Sequence, residues 1–435
     1  MKKILIGKTT GLKGSVKIQG GKNAVLPILA ASILTEEKVK INNCPDIEDV
    51  RQTIKLLEML GCKVFFVNGT IEVYPKDVED TRISSEYTRN TRSSILFLGA
   101  MLGRLGRIVI TKPGGCKIGE RPYDLHIKGI RGLGVEIFEK YGDIVAYTDE
   151  LKGGRIHLTF PSVGATENIM LAAVMAKGRT SIYNPAKEPE IVELAGFLNS
   201  MGASVKGAGK DIIVIEGTDR LHGAEYTVGG DRIVAATYMA ALAVCRGKIK
   251  LLGVSPLYME EVIKTFRNMG ISIKLLPGNR GFVCKNKGEI KNISYIETSP
   301  YPMLPTDVQP IMAAVMIYGN GVSRVKEKIF ENRFAYVEEL KKLGADINIK
   351  GGDTLVIYGK NKLKGCQLKS MDLRGGAALV VAGLGAEGET VILDNGYIYR
   401  GYEDIIRDLK GLGADIREEE ISEEEISEDG EKEER

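Results

Sequence analysis

One signature recurs six times along the chain and constrains its fold more than any other feature. An amphipathic stretch ends in Leu or Met, then Gly, then a small or β-branched residue, and a strand pattern follows. The six copies centre on Gly61, Gly134, Gly202, Gly270, Gly344 and Gly413, separated by 73, 68, 68, 74 and 69 residues. A glycine at each place suits a helix C-terminus that needs positive φ to turn sharply into a strand. A repeat of about 70 residues is longer than the common solenoid units, so closure into compact domains is expected rather than an open array.

Upstream of each signature runs a second helix rich in small apolar residues: 23–34, 92–104, 165–176, 232–245, 307–317 and 375–384. A helix apolar on most sides belongs in a core. A short β-branched strand follows each, at 38–41, 107–110, 180–183, 248–252, 322–325 and 390–393. The unit therefore reads as buried helix, strand, amphipathic helix, strand, strand. Three units per domain give a two-domain α/β protein. Residues 22–229 form one domain, and residues 1–21 with 230–417 form the other. Gly20-Gly21-Lys22 and Gly229-Gly230-Asp231 are the matching crossovers, and a double hinge implies a cleft that closes on ligand.

At 435 residues the chain exceeds one ordinary core, and 43% hydrophobic with 27% charged side chains is the balance of a globular protein. No stretch is long and apolar enough for a membrane span, and the apolar run near the N-terminus stops at Gly7, so a cytoplasmic protein is expected. The six cysteines lie far apart, with no CxxC and only three histidines, so neither a disulfide framework nor a metal centre is indicated. The net charge of +3 hides an asymmetry. Residues 418–435 carry eleven acids and two bases, a composition typical of a disordered tail, which leaves +12 on the remainder. The basic body favours anionic ligands. Sparse aromatics and the absence of Trp weaken a base-stacking reading, and no nucleic-acid or membrane partner is expected.

The chemistry-bearing residues cluster where the buried helices begin. Lys22 and Asn23 follow Gly20-Gly21, a glycine-led helix start that suits an anion. Arg92 opens the second buried helix, Ser162-Val163-Gly164 the third, Asp231 the fourth, Asp307 the fifth, and Asp372 with Arg374 the sixth. Each acid alone is first a helix cap, worth roughly 1 kcal/mol. If like ends of the repeats gather, these starts converge on the cleft. Arg400 precedes the last amphipathic helix, and arginine clamps carboxylates and phosphates. Glu188 and Glu190 open the third amphipathic helix, either as first-turn acids or as partners for cleft cations. The segment 112–126 reads as a Gly/Pro-rich loop, with Cys116 among Lys112, Lys117 and Arg121. Cations ease thiol ionisation, although an ordinary surface loop carrying a thiol fits equally well.

Ten short motifs in register carry a resemblance: Lys22-Asn23, Pro113-Gly114-Gly115-Cys116, Arg121-Pro122 with Asp124-Leu125-His126, Ser162-Val163-Gly164-Ala165-Thr166, Glu188-Pro189-Glu190, Asp231-Arg232, Pro305-Thr306-Asp307, Phe330-Glu331-Asn332-Arg333, Asp372-Leu373-Arg374 and Arg400-Gly401-Tyr402. Together they resemble the UDP-N-acetylglucosamine enolpyruvyl transferases over residues 1–417. The resemblance implies a two-domain inverse α/β barrel of six βαβαββ units. It also implies transfer of the enolpyruvyl group of phosphoenolpyruvate to the 3′-hydroxyl of UDP-N-acetylglucosamine, with release of phosphate and without metal or other cofactor. The reaction is an addition–elimination through a tetrahedral ketal that opens peptidoglycan synthesis.

By the same resemblance Asp307 is the general base at the sugar hydroxyl. Cys116 is the acid or protective thiol of a mobile loop, and the position alkylated by fosfomycin. Lys22, Asn23, Arg121 and Arg400 match the phosphoenolpyruvate site. Arg92, Arg121, Pro122, Tyr123, Asp124, Leu125, Ser162, Val163, Gly164, Asp307 and Ile329 match the UDP-sugar site. Glu188, Asp231, Asp372 and Arg374 are expected in support, the last two as an ion pair near Lys22 or Arg400. The chain departs from the pattern at Phe160-Pro161, Leu304, Tyr336 and Val234. The shikimate-pathway enolpyruvyl transferase is the alternative enzyme, and it lacks the Pro-Gly-Gly-Cys loop. An RNA 3′-phosphate cyclase-like protein is the alternative from another class.

Overall fold

A computed structural model describes residues 2–88, 92–112, 123–360 and 362–420. Among the described residues six four-stranded sheets hold the strands, and all six share one spatial order of parallel and antiparallel neighbours. In the third, Arg155–His157 runs parallel to Arg179–Tyr183, with Ile156 opposite Ile182. Arg179–Tyr183 pairs antiparallel with Ile212–Glu216, which pairs antiparallel with Ser204–Lys206. The parallel step requires a crossover, and helix Val163–Ala173 supplies it. Alternation decides which strand face packs: Thr180 and Ile182 are buried, whereas Arg179 is exposed. This order is βαβαββ.

Three strands close their sheets from elsewhere in the chain. Lys2–Gly7 lies between Glu389–Asp394 and Ile416–Glu420 in the sixth sheet. Leu12–Lys17 opens the fourth beside Gly247–Leu252, and Glu225–Thr227 opens the first beside Val39–Asn42. Buried apolar residues accordingly form two clusters, one within 24–228 and one from 4–18 plus 233–416. Each contains three of the buried helices. Arg232–Cys245, Gln309–Met316 and Leu373–Gly383 pack on one another in the second, where alanines and glycines permit close approach. The six signature glycines all have φ between 84° and 104°, as the repeated turn requires.

The chain passes between the clusters twice, side by side. Gly20 bridges Gly230, the Gly21 N–H donates to Gly229 O at 2.8 Å, and the Asp231 N–H donates to Gln19 O at 2.8 Å. A Cβ at Gly230 would sit 2.3 Å from the Gly253 carbonyl oxygen, so position 230 tolerates no side chain.

Three local expectations are corrected. The fifth buried helix starts at Gln309, which leaves Asp307 off its cap. Arg92 begins a 3-10 turn, Arg92–Leu96, ahead of helix Phe97–Leu105. Glu418, Glu419 and Glu420, counted with the acidic tail, belong to strand Ile416–Glu420. Pairing with Lys2–Gly7 satisfies their backbone, and Lys3 lies 3.7 Å from Glu419. No helix among the described residues is long and apolar enough to cross a membrane.

Candidate active site

Lys22 starts helix Lys22–Ala31 directly after the first crossover. Its N–H donates to Asp231 Oδ2 at 3.1 Å, while Asp231 Oδ1 caps the neighbouring helix through the N–H groups of Ile233 and Val234. Asp231 is therefore both a cap and a brace for the lysine. The Lys22 ammonium lies 2.6 Å from Asp49 Oδ2. From the other cluster, Arg400 donates to the same carboxylate, Nε to Oδ1 at 2.8 Å and Nη2 to Oδ2 at 3.2 Å. Burial pushes the Lys22 pKa down, Asp49 opposes it, and Arg374 and Arg400 add to the lowering. Burial also works against the Asp49 carboxylate, but Lys22 and Arg400 outweigh it and hold its pKa below the usual range.

Asp307 lies between two buried guanidinium groups. Arg333 Nη2 donates to Oδ1 at 3.1 Å, and Arg374 Nη2 to Oδ2 at 3.0 Å. Arg374 thus pairs with Asp307 rather than with Asp372. Asp372 instead caps helix Leu373–Gly383 through the N–H groups of Arg374 and Gly375, and sits 3.7 Å from Arg333 Nη1. The reason is directional: an N-cap side chain turns back onto its own helix, whereas the arginine two residues on points away from it. Arg374 Nη1, Arg333 Nε and Asp372 Oδ2 are buried without a hydrogen-bond partner among the described residues. Polar atoms left in that state are costly unless a ligand or water completes them.

A second set of contacts joins the clusters through acids. Arg232 donates to Glu190 from Nε at 3.0 Å and from Nη2 at 3.3 Å. Glu188 Oε1 accepts the Tyr301 N–H at 3.3 Å, and burial raises the Glu188 pKa. Glu167 is buried beside these acids. Desolvation, then Glu190 and Glu188, lift its pKa well above the ordinary value. Burial works against the Arg232 charge, but Glu190 first, then Glu188 and Asp307, outweigh it and hold its pKa above the usual value.

The positions expected to hold the UDP-sugar fall on both clusters. Tyr123 is the N-cap residue of helix Asp124–Arg131, whose first turn holds Asp124 and Leu125 and whose His126 ring would lie 2.9 Å from a Cβ at Gly164. Gly164 and the neighbouring Ser162 and Val163 start helix Val163–Ala173, with Ser162 as its cap toward the Ala165 N–H. Asn168 Nδ2 meets His126 Nδ1 at 2.7 Å and locks the two segments together. On the other cluster, Glu327 Oε1 accepts the Ile329 N–H at 2.8 Å, and its Oε2 accepts the Thr306 hydroxyl at 3.0 Å. Ile329 is thereby tied to the segment carrying Asp307. Asn23 follows Lys22 in the first turn of its helix. Cys116, Arg121 and Pro122, and the side chain of Arg92, lie outside the described part.

Cations and carboxylates from the two α/β clusters thus meet beside the double crossover. The EPSP synthase (3-phosphoshikimate 1-carboxyvinyltransferase) family matches residues 6–409. The chain belongs to that family. It is 47% identical to UDP-N-acetylglucosamine 1-carboxyvinyltransferase 2 of Caldanaerobacter subterraneus subsp. tengcongensis, over 96% of this chain and 99% of that protein. It is 45% identical to UDP-N-acetylglucosamine 1-carboxyvinyltransferase of Finegoldia magna, over 97% and 100%. The fold is shared with the enolpyruvyl transferase NikO from Streptomyces tendae, at TM-score 0.86 and 21% identity, covering 97% of this chain and 99% of that one. It is also shared with EPSP synthase from Acinetobacter baumannii, at TM-score 0.75 and 19% identity, covering 97% and 100%.

Sequence reasoning assigned no site role to Asp49, Arg333, Glu327 or Arg232. Arg333 and Arg232 stood inside quoted motifs, so that signal was present. Asp49 reads in sequence as a first-turn acid of helix Glu48–Met59, and nothing local distinguishes it from Glu48. The departures from the family pattern are mostly core substitutions. Leu304 and Val234 are buried, and Tyr336 exchanges hydrogen bonds with Gln309, at 2.9 Å from Gln309 Nε2. Phe160 is exposed.

Proposed function

We propose that the chain transfers the enolpyruvyl group of phosphoenolpyruvate to the 3′-hydroxyl of UDP-N-acetylglucosamine with release of phosphate, the step that opens peptidoglycan synthesis. The observation that carries this reading is the near-full-length identity to UDP-N-acetylglucosamine 1-carboxyvinyltransferases, set against only 19% to EPSP synthase from Acinetobacter baumannii. In this reading Lys22 and Arg400, joined by Arg121, clamp the anionic groups of phosphoenolpyruvate. Asp307 takes the proton of the sugar hydroxyl, oriented for it by Arg333 and Arg374. Tyr123, Asp124 and Leu125 with Ser162, Val163 and Gly164 hold the nucleotide sugar from the first domain, residues 22–229, and Ile329 meets it from the second. Glu188 and Asp307 supply negative charge near an oxocarbenium-like centre. Cys116 delivers the proton to the methylene carbon or guards the site.

Phosphate release from phosphoenolpyruvate is measured with UDP-N-acetylglucosamine and, separately, with shikimate 3-phosphate. Turnover with the sugar nucleotide alone is expected, and turnover with shikimate 3-phosphate alone would sink the reading. Fosfomycin is expected to abolish activity, and Cys116→Asp to remain active yet resistant, because a carboxyl group replaces the thiol as acid without forming the adduct. Full activity after stoichiometric adduct formation would remove Cys116 from the mechanism.

A further inference from the structure

Asp49 has no part in the mechanism above, yet it organises the two cations that mechanism needs. It stands in the first turn of helix Glu48–Met59, where an acid ordinarily faces the helix N-terminus and solvent. Here the residue is only 5% exposed and its carboxylate is shared. One oxygen lies 2.6 Å from the Lys22 ammonium, and the pair of oxygens accepts two hydrogen bonds from Arg400. Lys22 comes from the first domain and Arg400 from a short 3-10 turn of the second, Ile398–Arg400, so the carboxylate spans the domain boundary.

The charges around Lys22 show why this matters. Its ammonium contacts Asp49 and is acted on by the charges of Arg374 and Arg400, and its backbone N–H donates to Asp231. Burial and two guanidinium groups all favour the neutral amine, which binds no anion by charge. Of the acids named here, Asp49 is the one in contact with the ammonium. Without that carboxylate, the enclosed Lys22 and the half-buried Arg400, brought together from the two domains, would repel at the moment they must act together.

We propose that Asp49 is a positioning residue of the anion site: its carboxylate gathers Lys22 and Arg400 from the two domains onto one centre and keeps the lysine charged until the substrate anion arrives. It acts through those two side chains. The proposal rests on reading Lys22 and Arg400 as the clamp for phosphoenolpyruvate.

The experiment is calorimetric titration of the full chain with sulfate, whose charge is constant, and with inorganic phosphate, across about pH 6–11 to bracket the lysine range. Wild type is compared with Asp49→Asn, Asp49→Ser, Asp49→Glu and the double variant Asp49→Asn/Lys22→Arg. Sulfate affinity of the wild type is expected to fall at alkaline pH. In Asp49→Asn the fall is expected about one pH unit lower, giving about fivefold weaker binding at the wild-type midpoint, approaching about tenfold above it, and a smaller difference near neutrality. Asp49→Glu restores the wild-type profile. Lys22→Arg in the double variant abolishes the alkaline fall, because a guanidinium stays charged. Melting curves establish that each variant is folded, and Asp49→Ser serves if Asp49→Asn is not. A uniform loss at every pH, or an unchanged midpoint, overturns the proposal and leaves Asp49 a structural acid. If the wild type binds neither anion, the clamp reading of Lys22 and Arg400 falls as well.

Discussion

Arg374 reaches back across 3.0 Å to Asp307, although Asp372 stands only two residues before it in the chain. The same arginine gives its backbone N–H to Asp372 and its side chain to Asp307, so one residue links the start of the sixth buried helix to the proposed general base. Arg333 holds the other oxygen of Asp307. The base is thus oriented from both sides, and neither guanidinium is free to drift.

Asp307→Asn keeps the shape of this arrangement and removes the proton acceptor. A general base contributes about 10²–10⁴-fold, so phosphate release is expected to drop by that factor while affinity for UDP-N-acetylglucosamine changes little. Steady-state phosphate release beside equilibrium titration of the nucleotide sugar checks it. A variant retaining near-full turnover would reassign the base.

Arg374→Met removes a side chain that is 4% exposed and leaves Asp307 with one fewer counter-charge. Breaking a buried pair on one side costs about 3 kcal/mol, read as a lowered denaturant midpoint with an unchanged slope. An unaltered midpoint would mean that Arg333 alone compensates Asp307.

Glu167 gives a pH signature. Burial first, then Glu190 and Glu188, raise its pKa in the folded chain well above the ordinary value. The folded state therefore holds a proton that the unfolded chain releases above about pH 4.3. The stability linked to that proton is complete below this pH and is lost as pH rises toward the folded pKa, at about 1.4 kcal/mol per unit. Glu167→Gln is expected to match the wild type near pH 4 and to exceed it at pH 8. Chemical unfolding at both pH values tests this, and an equal offset at the two would contradict it.

Arg232 and Glu190 join the two clusters through a pair in which each side chain is 11% exposed. Neighbouring buried charges are coupled, so a double-mutant cycle of Arg232→Met and Glu190→Gln is expected to give an interaction energy of about 0.5–3 kcal/mol. Strict additivity would show that the contact contributes nothing to holding the domains together.

Much was legible in the residues themselves. Periodicity marked the buried helices, because an element apolar on most sides has only a core to enter. The six glycines marked where those units turn, because positive φ is a local demand that no neighbour can relax. The double glycines at 20–21 and 229–230 marked the crossovers for a similar reason: Gly20 and Gly230 must each let another stretch of backbone come close. Capping by Asp231 and Asp372 was equally local, since a cap bonds its own helix.

Partnership across the fold was decided only by tertiary structure. Lys22, Asp49 and Arg400 are separated by 27 and 351 residues in sequence, and no local pattern says that one carboxylate serves two cations from the two clusters. Arg374 had a nearby acid in sequence and took a distant one in space, because the helix direction turned its side chain away from its own cap. Glu418–Glu420 carry the composition of a solvated tail, yet they form a strand because the edge of Lys2–Gly7 was open beside them. Composition and periodicity fix what a segment can do by itself. Which charges meet depends on where the packed repeats bring their ends, and that is settled only when both cores have closed.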